Sequence, residues 1–415
     1  MLLSNSMPIW LMVVVGFFTV SSVFVYAVGS VLAVVRRYRS PRVNVDIAEL
    51  NISVLKPMSG MDPGLRKNLQ SFAALRAPST FEVIMCVATE SDACISLARE
   101  FVGRFPERFR LVIGSNPSLG NAKMAQLSVA YPSAKNPFLW ISESNVETTQ
   151  EAMTSLMVAW KEANVDQRRL TFVHTPLVGV YGSGLGAAIE RMHLASFQNA
   201  NHEIALMAGV HTVVGKTEFM HRDDLAAVGG IEAFGNFLGE DFMFGKVFAE
   251  RGVVRCASEP TRNTLGALRV KAWFDRHARW AVMRRTMAPV AFHLLEPTIY
   301  PAIPVLFAMA GFIDWRLAAA ILVFKIAVDG VCYATHSGSL PRPIDLIAVP
   351  LKELLLLVAW VNALTTFHVK WRADKSIQLG RNSVVVSRDA EPSRLKRRWN
   401  QVRRLLGADL TASGN

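Results

Sequence analysis

The chain has 415 residues, of which 51% are hydrophobic, and a mean hydropathy of +0.26. This exceeds what one soluble core requires, so an entirely soluble protein is disfavoured and membrane attachment is favoured. Lysine and arginine number 45 against 33 acidic residues, a net charge of +12, which indicates an anionic surface or substrate. Nucleic acid is a weak candidate partner, because the basic residues concentrate beside apolar segments and in the tail, and not in a recognised nucleic-acid-binding motif.

The first predicted element is a transmembrane anchor at residues 9–35, an uncharged run that exceeds the ~20 helical residues needed to cross a bilayer. No basic residues precede it and no clear small-residue cleavage site follows it, which disfavours a cleaved signal peptide. Arg36, Arg37, Arg39 and Arg42 follow at once. The positive-inside rule therefore places the next domain in the cytoplasm, and residues 1–36 are assigned to the anchor.

Residues 37–285 are predicted to form an α/β domain, because short apolar runs alternate with amphipathic helical stretches. Near-continuous apolar strands separated by helices indicate a mostly parallel sheet that is covered on both faces. In such sheets, ligands bind beyond the carboxyl ends of the strands. The predicted strands are residues 52–55, 81–88, 110–113, 138–142 and 170–174.

Beyond residue 285 the chain is apolar again, and residues 286–368 are assigned to membrane or interfacial helices. The apolar segments are residues 289–312, 317–333 and 346–367, and their charged positions are Glu296, Lys325, Asp329, Lys352 and Glu353. Three crossings would leave residues 369–415, a basic tail, outside the cell, against the positive-inside rule. One segment is therefore predicted to be interfacial or re-entrant, and the segment that contains Lys352 and Glu353 is the candidate.

Cysteines and histidines give no metal-binding pattern in the sequence. The four cysteines are predicted to be reduced, mostly buried thiols, because they show neither a CxxC motif nor zinc-ligand spacing. Four neighbouring histidines contain no pair with HExxH spacing and are predicted to be surface or core residues. These residues are Cys86, Cys94, Cys256 and Cys332, and His193, His202, His211 and His221.

Two motifs indicate chemistry. Glu240 and Asp241 follow a glycine-rich turn at the predicted start of a helix, where one carboxylate could act as a general base. Alternatively, the acidic pair only stabilises the first turn of that helix. Arg276, Arg279 and Trp280 form an RxxRW run, which alone is typical of a basic juxtamembrane stripe. When both motifs occur at this spacing in front of apolar segments, they indicate a catalytic site much more specifically than either motif does alone.

With these motifs the chain resembles the ceramide glucosyltransferase family, which includes bacterial relatives that glycosylate hopanoids. The resemblance extends from the anchor through VLKP at residues 54–57 and GMDP at 60–63 to WR at 371–372. It implies a GT-A fold, an inverting reaction, and three aspartate motifs followed by Q/RxxRW. The third aspartate motif matches as Glu240 and Asp241, and the last motif matches as Arg276, Arg279 and Trp280.

Two positions depart from the family pattern. The first motif has Thr89 where an aspartate is expected, although Asp92 follows, and the second has Glu143, Ser144 and Asn145 in place of Asp-Ser-Asn. The resemblance implies a divalent cation, Mg²⁺ or Mn²⁺, with Glu143 as its ligand. Because the longer side chain moves the carboxylate and Mg²⁺ tolerates poor geometry badly, cation dependence stays open.

The resemblance also implies a set of donor-binding residues. Lys56 is expected near the uracil and ribose, with a solvated surface lysine as the alternative. Asn121 and Lys123 follow a turn and are expected to reach the diphosphate. The full donor-binding set is Lys56, Asp92, Asn121, Lys123, Glu143, Asn145, Arg276, Arg279 and Trp280.

The expected reaction joins a water-soluble donor to a membrane lipid. Asp241, next to Glu240, is expected to accept the proton of a lipid hydroxyl, while Arg276, Arg279 and the cation neutralise the leaving diphosphate. Residues 276–285 mix cationic and apolar side chains, which is typical of a helix at the headgroup level. The expected partners are a UDP-sugar carrying glucose or N-acetylglucosamine, a ceramide-like or hopanoid-like lipid, and the bilayer of a bacterial inner membrane.

Two other functions remain open from the sequence. A processive polysaccharide synthase would share the GT-A domain and the RxxRW element, but such synthases usually have more membrane helices. A non-catalytic membrane scaffold or sensor that retains the fold is suggested by Thr89 and Glu143. The sequence leaves the oligomeric state open.

Overall fold

The computed structural model describes residues 8–46, 51–77, 80–287, 290–300, 302–371 and 375–388. Arg372 and most of the predicted basic tail lie outside these ranges. The strands are β1 (Ile52–Met58), β2 (Phe81–Val87), β3 (Phe109–Ile113), β4 (Phe138–Ser142), β5 (Val146–Glu147), β6 (Thr171–His174), β7 (Leu177–Ser183), β8 (Thr217–His221), β9 (Val253–Cys256), β10 (Thr261–Ala267), β11 (His368–Trp371), β12 (Lys375–Leu379) and β13 (Val385–Arg388).

The main sheet has the strand order β3-β2-β1-β4-β8-β6-β9. β1 pairs in parallel with β2 and β4, β2 with β3, and β6 with β9, whereas β8 is antiparallel to both β4 and β6. This confirms the predicted mostly parallel sheet. β1, β2, β4 and β6 are buried along their whole lengths, which explains their near-continuous apolar sequences.

Helices cover both faces of this sheet, and alternate strand residues point into two apolar cores. Val54 and Trp140 belong to one core, and Leu55 and Ile141 to the other. The helices are α1 (Ile9–Arg37), α2 (Leu65–Ala73), α3 (Ile95–Arg104), α4 (Ala122–Ala130), α5 (Gln150–Ala163), α6 (Leu185–Met192), α7 (Asn199–Met207), α8 (Arg222–Ala227), α9 (Glu240–Arg251), α10 (Val270–Met287), α11 (Val290–Leu295), α12 (Ala302–Met309), α13 (Trp315–Ser337) and α14 (Pro343–Thr365).

Among the described helices, α1 and α13 are long and apolar enough to cross a membrane. They run in the same direction: Val15, near the start of α1, packs with Ile313 and Ala318 at the start of α13. Arg36, near the end of α1, lines a small cavity together with His336, near the end of α13. The chain must therefore run back along α1 before α13 begins. Residues 290–309 make this return as two short helices, α11 and α12, joined by a 3₁₀ turn.

The charged residues of the apolar segments are paired with one another. Asp329 of α13 accepts hydrogen bonds from Lys325, at 2.5 Å, and from Lys352 of α14. Glu353 lies 3.2 Å from Lys325 and 3.1 Å from Lys352. The Tyr26 hydroxyl of α1 donates to Asp329, so this buried cluster joins three helices. Pairing of this kind offsets the cost of placing charges in apolar surroundings.

α14 packs along α6 and α10 of the α/β domain, a position compatible with the interfacial placement predicted for it. The chain then returns to that domain. β11, β12 and β13 form a small antiparallel sheet. Two backbone hydrogen bonds join this region to the α/β domain: Leu238 N donates to Ser383 O at 2.9 Å, and Val385 N donates to Asn236 O at 3.0 Å. The beginning of the predicted tail is thus folded against the α/β domain.

Candidate active site

A cavity of about 490 Å³ lies where the α/β domain meets the membrane-proximal helices. One end is polar and is lined by Glu143, Lys216, Glu240 and Asp241. The remaining wall is mostly apolar, with side chains that include Val25, Phe197, Ile204, Ala205, Met283 and Met287, although Arg284, His293 and Glu296 also line it. A cavity with this division of polarity can accept a molecule that has an apolar body and a hydroxylated end.

Asp241 is the second residue of α9 and faces the polar end of the cavity. Its Oδ2 accepts a hydrogen bond from Gly215 N at 2.8 Å, and its Oδ1 accepts one from Phe242 N at 2.8 Å. Burial and the adjacent Glu240 raise the pKa of Asp241, although Lys123 and the two backbone N–H groups oppose that shift. A raised pKa suits a general base that works near neutral pH.

Lys123 places its ammonium group among four carboxyl groups. Its Nζ lies 3.0 Å from Glu240, 3.6 Å from Glu218 and 3.9 Å from Glu143. Burial favours the neutral amine, but these carboxylates and Asp241 outweigh it and hold the pKa of Lys123 well above its usual value. Lys123 therefore stays charged and offsets the repulsion within the acidic group.

Asn121 begins α4 and also holds Glu240. Its Oδ1 accepts from the backbone N–H groups of Lys123 at 2.9 Å and Met124 at 3.3 Å, which makes it the N-cap of α4. Its Nδ2 donates to Glu240 Oε2 at 2.7 Å and to Phe237 O at 2.9 Å. Both residues of the predicted diphosphate-binding pair thus contact Glu240 in this structure.

Glu218 was not among the predicted site residues. It lies on β8, is fully buried, and neither of its carboxylate oxygens has a hydrogen-bond partner among the described residues. Burial, opposed by Lys123 and reinforced by Glu240 and Asp241, raises its pKa to about 8. Glu218 is therefore mainly protonated at neutral pH, which limits the negative charge around Lys123.

Gly215 fits between Asp241 and Lys123 because it lacks a side chain. A Cβ atom at this position would lie 3.0 Å from Asp241 Cβ and 2.9 Å from Lys123 Nζ. A glycine here lets the backbone approach Asp241 closely enough to donate its hydrogen bond.

Glu143 follows β4 and is held by lysines. Lys216 Nζ contacts Glu143 Oε2 and also donates to Asn145 Oδ1 at 3.2 Å. Burial favours the protonated form of Glu143, but Lys216, Lys123 and Lys56 outweigh it and lower its pKa. Glu143 is thus ionised, and two ammonium groups already neutralise it.

Lys56 is fully buried on β1, so the surface-lysine alternative is wrong. Its Nζ donates to Glu143 O at 2.8 Å and lies 4.3 Å from the centre of the Phe72 ring. Burial lowers the pKa of Lys56 to about 7, although Glu143 and Asp62 act in the opposite direction. The lysine thus supports the backbone beneath Glu143.

Asp92 lies apart from the acidic group. Its Oδ1 accepts from Gly60 N at 2.8 Å and from Cys94 N at 3.0 Å, so it joins the loop after β1 to the start of α3. Thr89, which stands where the family pattern has an aspartate, places its hydroxyl 3.2 Å from that of Ser91. Both residues lie at the carboxyl edge of the parallel strands.

The RxxRW residues of α10 divide between two environments. Trp280 lines the cavity together with Asp241, whereas Arg276 and Arg279 do not line it. Arg276 Nη1 lies 3.1 Å from Glu190 Oε1 on α6, and about a third of the Arg276 side chain, 34%, is exposed. The structure therefore does not bring the two guanidinium groups and Asp241 onto one wall.

Glu190 is the centre of a buried group at this end of α10. Trp273 Nε1 donates to Glu190 Oε2 at 2.7 Å, and His277 Nε2 lies 2.7 Å from the same oxygen. Burial opposes ionisation, but His277 and Arg276 outweigh it and lower the pKa of Glu190 to about 2. This fully buried carboxylate, which the sequence did not indicate, fixes the orientation of Arg276.

The described residues around Glu143 do not fit a divalent cation in this arrangement. Mg²⁺ requires several oxygen ligands in octahedral geometry. Lys216 contacts both Glu143 and Asn145, and Lys123 lies 3.9 Å from the other oxygen of Glu143, so two ammonium groups occupy the positions that a cation would need. A cation would first have to displace Lys216.

Comparison with known proteins identifies relatives over most of the chain. The glycosyl transferase family 21 model matches residues 14–382. Ceramide glucosyltransferase 3 of Caenorhabditis elegans is 24% identical over 384 residues, which cover 87% of this chain and 80% of that protein. Ceramide glucosyltransferase 1 of the same organism is 28% identical over 244 residues, which cover 57% of this chain and only half, 50%, of that protein.

Solved structures are more distant. A mannosyltransferase from Pyrobaculum calidifontis, in complex with GDP-Man and Mn²⁺, has a TM-score of 0.46 and 15% identity, over 84% of this chain and 99% of that chain. Because the family model covers nearly all of the described chain, from α1 to the C-terminal sheet, the assignment rests on that match. The chain belongs to glycosyl transferase family 21.

Proposed function

We propose that the protein is an inverting glycosyltransferase that moves one hexose, glucose or N-acetylglucosamine, from a UDP-sugar to a hydroxyl of a ceramide-like or hopanoid-like membrane lipid. One observation carries this proposal: Asp241 lies at the polar end of a cavity whose remaining wall is mostly apolar. A lipid could enter with its hydrocarbon body against α7 and α10 and present its hydroxyl to the carboxylate. Membership of family 21 and similarity to ceramide glucosyltransferases support the same substrate class.

In the proposed reaction, Asp241 takes the proton of the lipid hydroxyl. The hydroxyl oxygen forms a bond to the anomeric carbon while the bond from that carbon to the diphosphate oxygen breaks on the opposite face. One displacement therefore inverts the configuration. A positioned base contributes ~10²- to 10⁴-fold in rate. Glu240, which Asn121 and Lys123 hold in place, assists by raising the pKa of Asp241.

The donor is proposed to lie at the carboxyl ends of β1, β2 and β4, where ligands of such sheets bind. Asp92 and Asn145 are the proposed contacts at this edge, and the buried Lys56 is proposed to act indirectly, by supporting Glu143 from below. Lys216, which lines the cavity, and the adjacent Lys123 are proposed to donate hydrogen bonds to the oxygens of the leaving diphosphate. No step is assigned to a divalent cation, because the Lys216 ammonium already contacts the Glu143 carboxylate that would bind one.

The guanidinium groups of α10 keep a proposed role beside the donor. Glu190 engages one edge of the Arg276 guanidinium, which leaves other N–H groups to meet phosphate oxygens. Arg279 lies one turn along the same helix, and Trp280 borders the cavity. In this proposal, donor binding brings both arginines towards the diphosphate, and Trp280 packs beside the sugar.

The proposed membrane arrangement places the α/β domain and the C-terminal sheet on the cytoplasmic face of a bacterial inner membrane. Arg36 and Arg37 end α1, in agreement with the positive-inside rule. Residues 1–36 form the anchor, residues 37–285 the catalytic domain and residues 286–368 the C-terminal membrane and interfacial helices. The described strands between His368 and Arg388 contact the catalytic domain, and the basic tail, residues 369–415, is proposed to be cytoplasmic.

Product analysis tests this function. Purified protein is incubated with UDP-glucose or UDP-N-acetylglucosamine and with ceramide, a hopanoid polyol or diacylglycerol, and the lipids are examined by mass spectrometry and NMR. The proposal expects one hexose per lipid, with the anomeric configuration opposite to that of the donor. A polymer would indicate a processive synthase. A protein that neither binds nor consumes any nucleotide sugar would instead be a scaffold.

A further inference from the structure

Side chains of metal-ligating type gather at the edge of the main sheet, outside the acidic group of the proposed active site. His174 ends β6 and Cys256 ends β9, and the two residues face each other in the parallel register of these strands. His202 approaches from α7. One ligand atom of each residue lies within 4.8 Å of the others. The group joins positions far apart in sequence, so residue spacing could not indicate it.

His202 has the hydrogen bonding of a prepared metal ligand. Its Nδ1 lies 2.8 Å from Thr212 O and 2.9 Å from Thr212 Oγ1. Because the carbonyl oxygen only accepts, the short contact with it assigns the proton to Nδ1, and the hydroxyl then also serves as an acceptor. Its Nε2 therefore carries the lone pair, and this atom is buried without a hydrogen-bond partner among the described residues. Metal-binding histidines commonly donate their other ring N–H to a backbone carbonyl in this way.

His336 of α13 repeats this pattern beside the same group. Its Nδ1 lies 2.8 Å from Cys332 O, and its Nε2 is buried without a hydrogen-bond partner in the described part of the chain. A cavity of about 10 Å³ is lined by His202, Cys256 and His336 together. This is the size of one water-sized sphere, so it can take a small ion or a water bound to one.

We propose that His174, His202 and Cys256 bind a zinc-class divalent cation, with His336 or a water as the fourth ligand. Two imidazoles and a thiolate suit Zn²⁺, whereas Mg²⁺ and Ca²⁺ prefer oxygen ligands. On binding, the Cys256 thiol loses its proton to solvent and the sulfur forms the bond to the metal.

Two opposite charges next to the site, those of Arg36 and Glu203, neutralise each other. Arg36 of α1 makes a two-point ion pair with Glu203, and its Nη1 donates to Cys256 O at 3.3 Å. Because the guanidinium and the carboxylate cancel, the positive charge of Arg36 does not stand unopposed beside the cation. A metal here would join β6, β9 and α7, and with His336 as the fourth ligand it would also join α13 to the α/β domain.

The test is the metal content of the full-length chain, purified in detergent without a metal-affinity tag. Mass spectrometry of the elements is expected to find about one zinc per chain. Replacement by Co²⁺ is expected to give the absorption of a tetrahedral site with a thiolate-to-cobalt charge-transfer band. Cys256→Ser should lose that band, and His202→Asn should lose stoichiometric zinc. The matched control is His221→Asn, which keeps a side chain able to cap α8 and should retain the metal.

Two results would overturn the proposal: substoichiometric zinc after incubation with Zn²⁺ and gel filtration, or a cobalt spectrum without a thiolate band. If His202→Asn does not fold, the metal content and cobalt spectrum of the unaltered protein still decide. Neither measurement depends on sugar transfer, so the outcome is separate from that of the proposed function.

Discussion

Lys123 Nζ lies 3.6 Å from Glu218 Oε2, and that carboxyl group has no hydrogen-bond partner among the described residues. The pKa of Glu218 is raised to about 8, mainly by burial. The ammonium group of Lys123 therefore offsets the charge of the surrounding carboxylates, while Glu218 itself is mainly neutral at pH 7. This relationship allows Glu143 and Glu240 to lie near Asp241 without an unopposed excess of negative charge.

Replacing Glu218 is expected to change how stability depends on pH. Because its pKa is higher in the folded protein than in the unfolded chain, where glutamate titrates near 4.3, folding takes up a proton and stability falls as pH rises from about 4 towards 8. Glu218→Gln keeps the shape and does not titrate. The melting temperature of the unaltered protein should therefore decline relative to that of Glu218→Gln between about pH 5 and pH 8. Parallel curves would show that Glu218 does not hold the extra proton.

Lys216 is expected to make added metal unnecessary for transfer. In buffer freed of divalent ions, the unaltered protein should retain its rate, because Lys216 already neutralises Glu143. Lys216→Ala should lose roughly 10²-fold in kcat and recover part of it with Mn²⁺, which could then occupy Glu143. Lys271→Ala, at an exposed position on α10, is the control. A strict Mg²⁺ or Mn²⁺ requirement in the unaltered protein would contradict this account.

Ala205 tests where the lipid binds. Ala205→Trp should fill the apolar part of the cavity and raise the KM for the lipid about 10-fold, because an apolar acceptor loses several CH₂ contacts, each worth ~0.8 kcal/mol. The affinity for UDP should not change, since the donor is proposed to bind at the sheet edge. Met207→Trp, at an exposed position of the same helix, is the matched substitution. An unchanged lipid KM would place the acceptor elsewhere.

Glu190 is expected to be important for stability. Glu190→Gln leaves Arg276 without its charged partner and weakens the contacts to Trp273 and His277, at a cost of about 1–3 kcal/mol in the free energy of unfolding. Denaturant unfolding measures this loss. Glu250→Gln, at an exposed position on α9, should be close to neutral. If both variants unfold alike, Glu190 does not hold α10 on α6.

The apolar runs along β1, β2, β4 and β6 were sufficient to predict the mostly parallel sheet, because fully buried strands leave a strong pattern. β8 was missed, and Glu218 with it, because this short antiparallel strand has only two apolar residues, Phe219 and Met220, with polar residues on both sides. The sheet at residues 368–388 was missed because it depends on contacts with residues 236–238.

Tertiary partners account for the other differences. Asn121 and Lys123 were predicted beside the diphosphate, and sequence reasoning could not show that both contact Glu240. The sequence also could not show that Glu190 would hold Arg276 on α6. His202 and Cys256 carry no recognisable spacing, since strand register and helix packing bring them together. Motif spacing indicated residue types, and long-range packing decided their partners.

Asp241→Asn measures the central claim most directly. The variant keeps the side-chain volume and removes the proton acceptor, so transfer to lipid should fall by at least ~10²-fold. In the same preparation, calorimetric binding of UDP should remain within a few-fold of that of the unaltered protein, and Asp223→Asn, at an exposed position, should transfer normally. Substantial transfer by Asp241→Asn, with UDP binding intact, would show that another group takes the proton.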